Sequence, residues 1–267
     1  MFSAKRFSRL VAAHWIERWR GYVWLLGGVG VVHLLAILMA TSAGRSPEAY
    51  SLETQHVMFG FGYALSSVWL ASSLFAGLSR ESFAITLLMR PASMFEKWLL
   101  VLLVVCIVHP LAYTLVFQVC GYPAALLAEQ ASIAWMERQQ QLMGFGPHWP
   151  QWGHYVPFAG RDDASGVPLF ELYLWSAVSS ISGLVVAGVL YFRRRVVLKS
   201  VAGTVAIVVI CLPLLVVAVG AHPNRLFLTD FDWITSMPLG WIIVFWAGVP
   251  ALVWLGNLGL LRSREVA

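Results

Sequence analysis

Residues 98–120 read WLLVLLVVCIVHPLAYTLVFQVC, 23 positions without one Asp, Glu, Lys or Arg. A helix rises about 1.5 Å per residue, so this run spans the roughly 30 Å hydrocarbon core of a bilayer. Its two unusual members are His109 and Pro110. A proline inside a span bends the helix and frees a carbonyl that neighbouring groups must satisfy. The run is too long and too apolar for the surface helix of a water-soluble protein, and the rest of the chain agrees. Of 267 residues, 59% are hydrophobic and 12% charged, and the mean hydropathy is +0.74. That leaves too little polar surface for a soluble domain.

Five further runs have the same character, at 21–40, 57–78, 169–192, 200–220 and 238–261. Each is long enough to cross with modest tilt. The expected architecture is an all-α polytopic membrane protein, a single transmembrane domain over 1–267 with six spans. Basic residues set its orientation. Fourteen of the 18 Lys and Arg fall on the face shared by the termini, and only Arg45, Arg138, Arg161 and Arg225 on the other. The positive-inside rule then places both termini in the cytoplasm, as for a multi-pass protein of a bacterial inner membrane.

Residues 1–20 lack the uninterrupted apolar stretch of a signal peptide, because Lys5, Arg6, Arg9, Glu17, Arg18 and Arg20 interrupt them. Phe7, Leu10, Val11, Trp15 and Trp19 recur at helical spacing, which predicts an amphipathic helix in the cytoplasmic interface. A plain basic anchor has the same composition. On the outer side, the 121–168 connection dwarfs its neighbours. Its first part, AALLAEQASIAWMERQQQLM (124–143), is rich in helix formers and stops at the Gly144–Pro147 breaker. HWPQWGHYVPFAGRDDASGVP (148–168) follows, irregular and aromatic, the kind of long loop that makes contacts.

Searching for chemistry excludes more than it finds. The three lysines, Lys5, Lys97 and Lys199, do not follow glycine, so there is no phosphate-cradling loop, and the zinc-protease and nucleophile-elbow motifs are absent. Nothing amounts to an enzyme signature. Cys106, Cys120 and Cys211 lie in apolar runs without paired spacing and read as buried thiols. His148, Trp149, Trp152 and His154 form an outer imidazole and indole patch. It fits either a contact surface near the headgroups or a haem or metal site, which would make the chain an integral membrane enzyme or cofactor handler. His33, Ser66, Ser67, His109 and Gln118 are candidate pathway residues, since polar groups within spans face a protein interior or cavity. Helix–helix hydrogen bonding explains the same residues. Pro213 and Pro250 should bend the fifth and sixth spans, and Asn257 with Gly256 and Gly259 offers a close-packing patch.

Between the second and third spans the chain reads SRESFAITLLMRPASMFEK, residues 79–97. Ser79 caps a short helix with Glu81 in its first turn, and Pro91 ends it. Ser93 then caps a second helix with Glu96 at the capping-box position, leading into the third span. The predicted product is a stiff, charged corner at the cytoplasmic surface. It serves equally to receive force from a soluble partner or simply to close a helix hairpin.

Leu87, Leu88, Pro91, Ala92, Ser93, Glu96 and Lys97 make this segment resemble the loop between the second and third spans in permease subunits of type-2-class ATP-binding-cassette exporters. Arg90 departs from the apolar residue common there, and the outer elaboration falls between the third and fourth spans rather than the fifth and sixth. The resemblance implies a permease that dimerises and docks a separately encoded ATPase, which binds ATP and Mg while this chain holds no cofactor. It implies outward movement of a hydrophobic or amphipathic substrate such as a lipid, peptide or drug-like molecule. Arg80, Glu81, Arg90, Pro91, Ser93, Glu96 and Lys97 are then the candidate coupling residues, with Arg193, Arg194, Arg195 and Lys199 contributing from the next cytoplasmic loop.

Overall fold

The computed structural model describes residues 2–43, 52–76, 92–143, 154–158, 170–192, 199–206 and 244–266. All regular structure among the described residues is helical. In chain order it comprises α1 (Ala4–Ala43), α2 (Leu52–Ala76), α3 (Met94–Leu103) and a π segment (Val104–Val108). There follow α4 (His109–Met143), α5 (Phe170–Tyr191), α6 (199–206), a second π segment (Val244–Gly248) and α7 (Val249–Val266).

Four stretches are long and apolar enough to cross a membrane: Ala4–Leu38, Thr54–Leu74, Met94–Leu127 and Glu171–Tyr191. They contain most of the first four predicted spans. Most of 200–220 and the start of 238–261 lie outside the described residues.

Two boundaries differ from the sequence expectation. The predicted helix 1–20 and the first span form one helix, because α1 runs through Arg20 and Gly21 without a break. A lone glycine costs about 1 kcal/mol against alanine in a helix, too little to end one that has no proline or cap beside it. At 40 residues α1 is about 60 Å long, roughly twice the hydrocarbon thickness of a bilayer. The second difference is at Cys120, where α4 continues to Met143 through Pro123, absorbing the helix-forming first part of the 121–168 connection.

Contacts divide the chain into two compact units. One comprises residues 18–66 and 109–171. In it α2 and α4 run antiparallel, pairing Ser66 with His109, Tyr63 with Tyr113, and Phe59 with Phe117. Helices α1 and α4 run parallel there: His33 meets Phe117 and Ile37 meets Ala125. Tyr63, Tyr113, Phe59 and Phe117 are its largest fully buried aromatic side chains. In lipid such rings gain little from leaving their surroundings, and close packing with interhelical hydrogen bonds holds the helices together.

The other unit comprises residues 1–17, 67–108 and 172–267. Helices α5 and α7 run parallel in it, with Ser179 beside Trp254 and Gly183 beside Asn257. Trp98 of α3 donates from Nε1 to the Trp254 carbonyl at 2.7 Å.

Candidate functional site

Of the predicted PAS–EK corner at 79–97, the Ser93–Glu96 start of α3 is among the described residues, and it forms the expected cap. Ser93 is extended (φ −66°, ψ 156°) and caps α3, its Oγ accepting the Glu96 amide at 3.3 Å. Glu96 Oε2 accepts the Ser93 amide in return at 2.9 Å, completing the capping box. The remaining carboxylate oxygen, Oε1, reaches across to the start of α1. It accepts the Ser3 amide at 2.9 Å and lies 3.5 Å from Arg6 Nη2. One enclosed carboxylate therefore serves the N-termini of two helices, where backbone N–H groups favour negative charge. The Arg6 contribution is the weaker, since its side chain is 48% exposed while that of Glu96 is fully buried. Phe2 packs beside the junction, its ring 5.8 Å from Phe7 and edge-on to Phe95 at 6.2 Å. Lys97, the last of the coupling candidates, is buried. Arg80, Glu81, Arg90 and Pro91 lie outside the described residues, as do Arg193, Arg194 and Arg195, while Lys199 packs over the Phe192 ring.

Among the pathway candidates, Ser66 and His109 come together. Ser66 Oγ lies 3.1 Å from His109 Nε2 and 3.1 Å from the Tyr63 carbonyl. A hydroxyl has one proton, and the carbonyl can only accept it, so His109 donates through Nε2–H. Tyr63 stacks on the His109 ring at 6.0 Å, and Tyr113 Oη donates to the Phe59 carbonyl at 3.2 Å. Gly62 permits this approach, because a Cβ there would run into the Tyr113 hydroxyl. His33 is buried against Phe117 at 4.6 Å, and its Nε2 has no hydrogen-bond partner among the described residues. Ser67 is buried too. Burial of all four polar side chains in protein accords with the expense of exposing them to lipid. The Ser66–His109 bond ties α2 to α4.

Gln118 pairs with His154 of the 121–168 connection. Its Oε1 accepts from His154 Nε2 and its Nε2 donates to the Tyr155 carbonyl at 3.2 Å. Burial lowers the His154 pKa below the usual imidazole range, in keeping with a neutral ring that donates through Nε2. Tyr155 continues the attachment: its amide donates to Gln55 Oε1 at 3.0 Å, and its hydroxyl to Glu171 Oε1 at 2.9 Å. Burial, reinforced by Glu171, pushes its phenol well above the ordinary value. Residues 154–158 are thus fastened to α2, to α4 and to the first turn of α5. His148, Trp149 and Trp152 lie outside the described residues. Among the described residues no three His, Cys, Asp or Glu side chains are placed to hold a metal.

Sequence reasoning missed Ser3, Arg6, Gln55, Tyr155 and Glu171 as partners. Glu171 and Gln55 carried a weak signal, as polar residues at the ends of apolar runs. Ser3 and Arg6 carried none, because their partner is some 90 residues away. No known protein family, curated protein or solved structure matches the chain.

Proposed function

We propose that this chain is the membrane-spanning permease subunit of an ATP-binding-cassette exporter of the type-2 class. It pairs with a second copy, docks a separate cytoplasmic ATPase and moves a hydrophobic or amphipathic substrate outward across a bacterial inner membrane. Both termini lie in the cytoplasm, and the ATPase supplies the ATP and Mg chemistry. The observation that carries this reading is the PAS–EK corner, where the Glu96 carboxylate serves the starts of α1 and α3 together. A push delivered at Ser93–Lys97 then reaches two spans at once through short hydrogen bonds. An ATPase that binds the two states of this corner unequally shifts the permease between them, with no catalytic residue needed here. The helix directions support the reading too: spans one and three run parallel, two opposes three, and four parallels six.

The test is isolation of the tagged chain from its own membranes in mild detergent. A P-loop ATPase should co-elute in stoichiometric amount. Repeated recovery of the chain without any such ATPase would contradict the proposal.

A further inference from the structure

Pro110 and Pro250 occupy matching settings. Each is the second residue after a five-residue π segment, Val104–Val108 in one case and Val244–Gly248 in the other. Proline has no N–H, so the carbonyl four residues earlier loses its α-helical partner. Those carbonyls belong to Cys106 and Trp246. Both are taken by adjacent residues of one helix: Trp175 Nε1 donates to the Cys106 carbonyl at 2.7 Å, and Ser176 Oγ donates to the Trp246 carbonyl. Successive helical residues point about 100° apart, which lets two neighbours serve two different helices. One turn on, Ser179 repeats the arrangement. Its Oγ lies 3.1 Å from Cys106 Sγ and its carbonyl accepts Trp254 Nε1 at 3.2 Å.

We propose that Trp175 and Ser176 form a shared pivot that couples the two proline breaks. Each π segment is a locally widened turn, a form frequent at functional sites, and each carbonyl left without its α-helical N–H needs a donor that lipid cannot supply. Because both donors are consecutive on α5, a rotation or slide of α5 that withdraws one withdraws the other. The hydrogen bonding at the two π segments therefore changes together. The pivot does not depend on the exporter reading.

Hydrogen exchange on the full chain in detergent tests this. Ser176→Ala should speed exchange about two- to tenfold at amides in 244–254, the range set by one lost hydrogen bond. The same variant should also speed exchange at 104–114, and Trp175→Phe should affect both stretches likewise. Ser176→Thr, which keeps the hydroxyl, should match the wild type. Pro250→Ala restores an N–H for Trp246, so adding Ser176→Ala to it should leave exchange unchanged in both 244–254 and 104–114. A further rise in either stretch would show that Ser176 does not act through the Trp246 carbonyl and would overturn the proposal. Changes confined to each donor's own stretch, or no change in either, would overturn the shared pivot.

Discussion

Gly183→Ala isolates the packing of α5 against α7. A Cβ at Gly183 would lie 2.7 Å from Val253 Cγ1, 3.2 Å from Trp254 Nε1 and 3.4 Å from Trp254 Cε2. Val253 cannot swing clear, since a β-branched side chain in a helix has one strongly preferred rotamer. Helix α7 must then retreat by about 0.7 Å to recover ordinary contact at 3.4 Å. That stretches the Asn257 Nδ2 bond to the Gly183 carbonyl from 2.9 Å to about 3.6 Å, beyond hydrogen-bonding range. Overpacking costs about 1–3 kcal/mol and the lost bond about 1, against about 1 gained from replacing glycine in a helix. The net expectation is about 2 kcal/mol of destabilisation. Equilibrium unfolding of the purified chain in mixed micelles measures it. Gly256→Ala is the control, because nothing lies within 4 Å of a Cβ there, and it should be neutral or mildly stabilising. Val253→Ala added to Gly183→Ala should recover part of the loss. A Gly183→Ala protein as stable as the Gly256→Ala control would refute the close approach of these helices.

Three further outcomes follow from the same geometry. Gly62→Ala should displace the Tyr113 hydroxyl from the Phe59 carbonyl and destabilise the chain, with Tyr113→Phe in the same molecule restoring most of the loss; unfolding titrations of the single and double variants decide it. Ser93→Ala should cost about 1 kcal/mol through the lost N-cap, whereas Ser93→Thr should retain most of that, as read by unfolding. Tyr155 links stability to alkaline pH. Below about 10 the phenol is protonated folded and unfolded, but above it only the unfolded state ionises, so stability falls as pH rises. Tyr155→Phe should flatten that fall between pH 10 and 11, and an unchanged slope would show that Tyr155 is not the group responsible.

The apolar run at 98–120 disclosed a helical stretch long and apolar enough to cross a membrane, and the spacing of Ser93 and Glu96 disclosed the cap that starts it. Both are local, set by composition and by positions three apart. Pro110 disclosed a carbonyl in need of a donor but not the donor. Trp175 lies 69 residues from Cys106, and nothing in helical periodicity says which distant indole will face it. The Ser3–Glu96 bond was hidden for the same reason. The continuity of α1 was hidden for another. The change from charged to apolar character at Gly21 marks a change of environment, and the backbone passes through it unaltered. In the 121–168 connection, aromatic composition marked His148, Trp149, Trp152 and His154 as a patch suited either to a contact near the headgroups or to a haem or metal site. It did not reveal that His154 and Tyr155 would be held by Gln118, Gln55 and Glu171.

The central claim is that residues 79–97 receive force from an ATPase. Its most direct test reverses the charge at Arg90, the position that departs from the exporter pattern, and compares Arg90→Glu with the wild type. Recovery of the co-purifying ATPase and the ATP hydrolysis of the purified complex are measured side by side. The account predicts that Arg90→Glu lowers both while the chain's own yield and unfolding profile are unchanged. Full recovery of an equally active ATPase with the variant would contradict it.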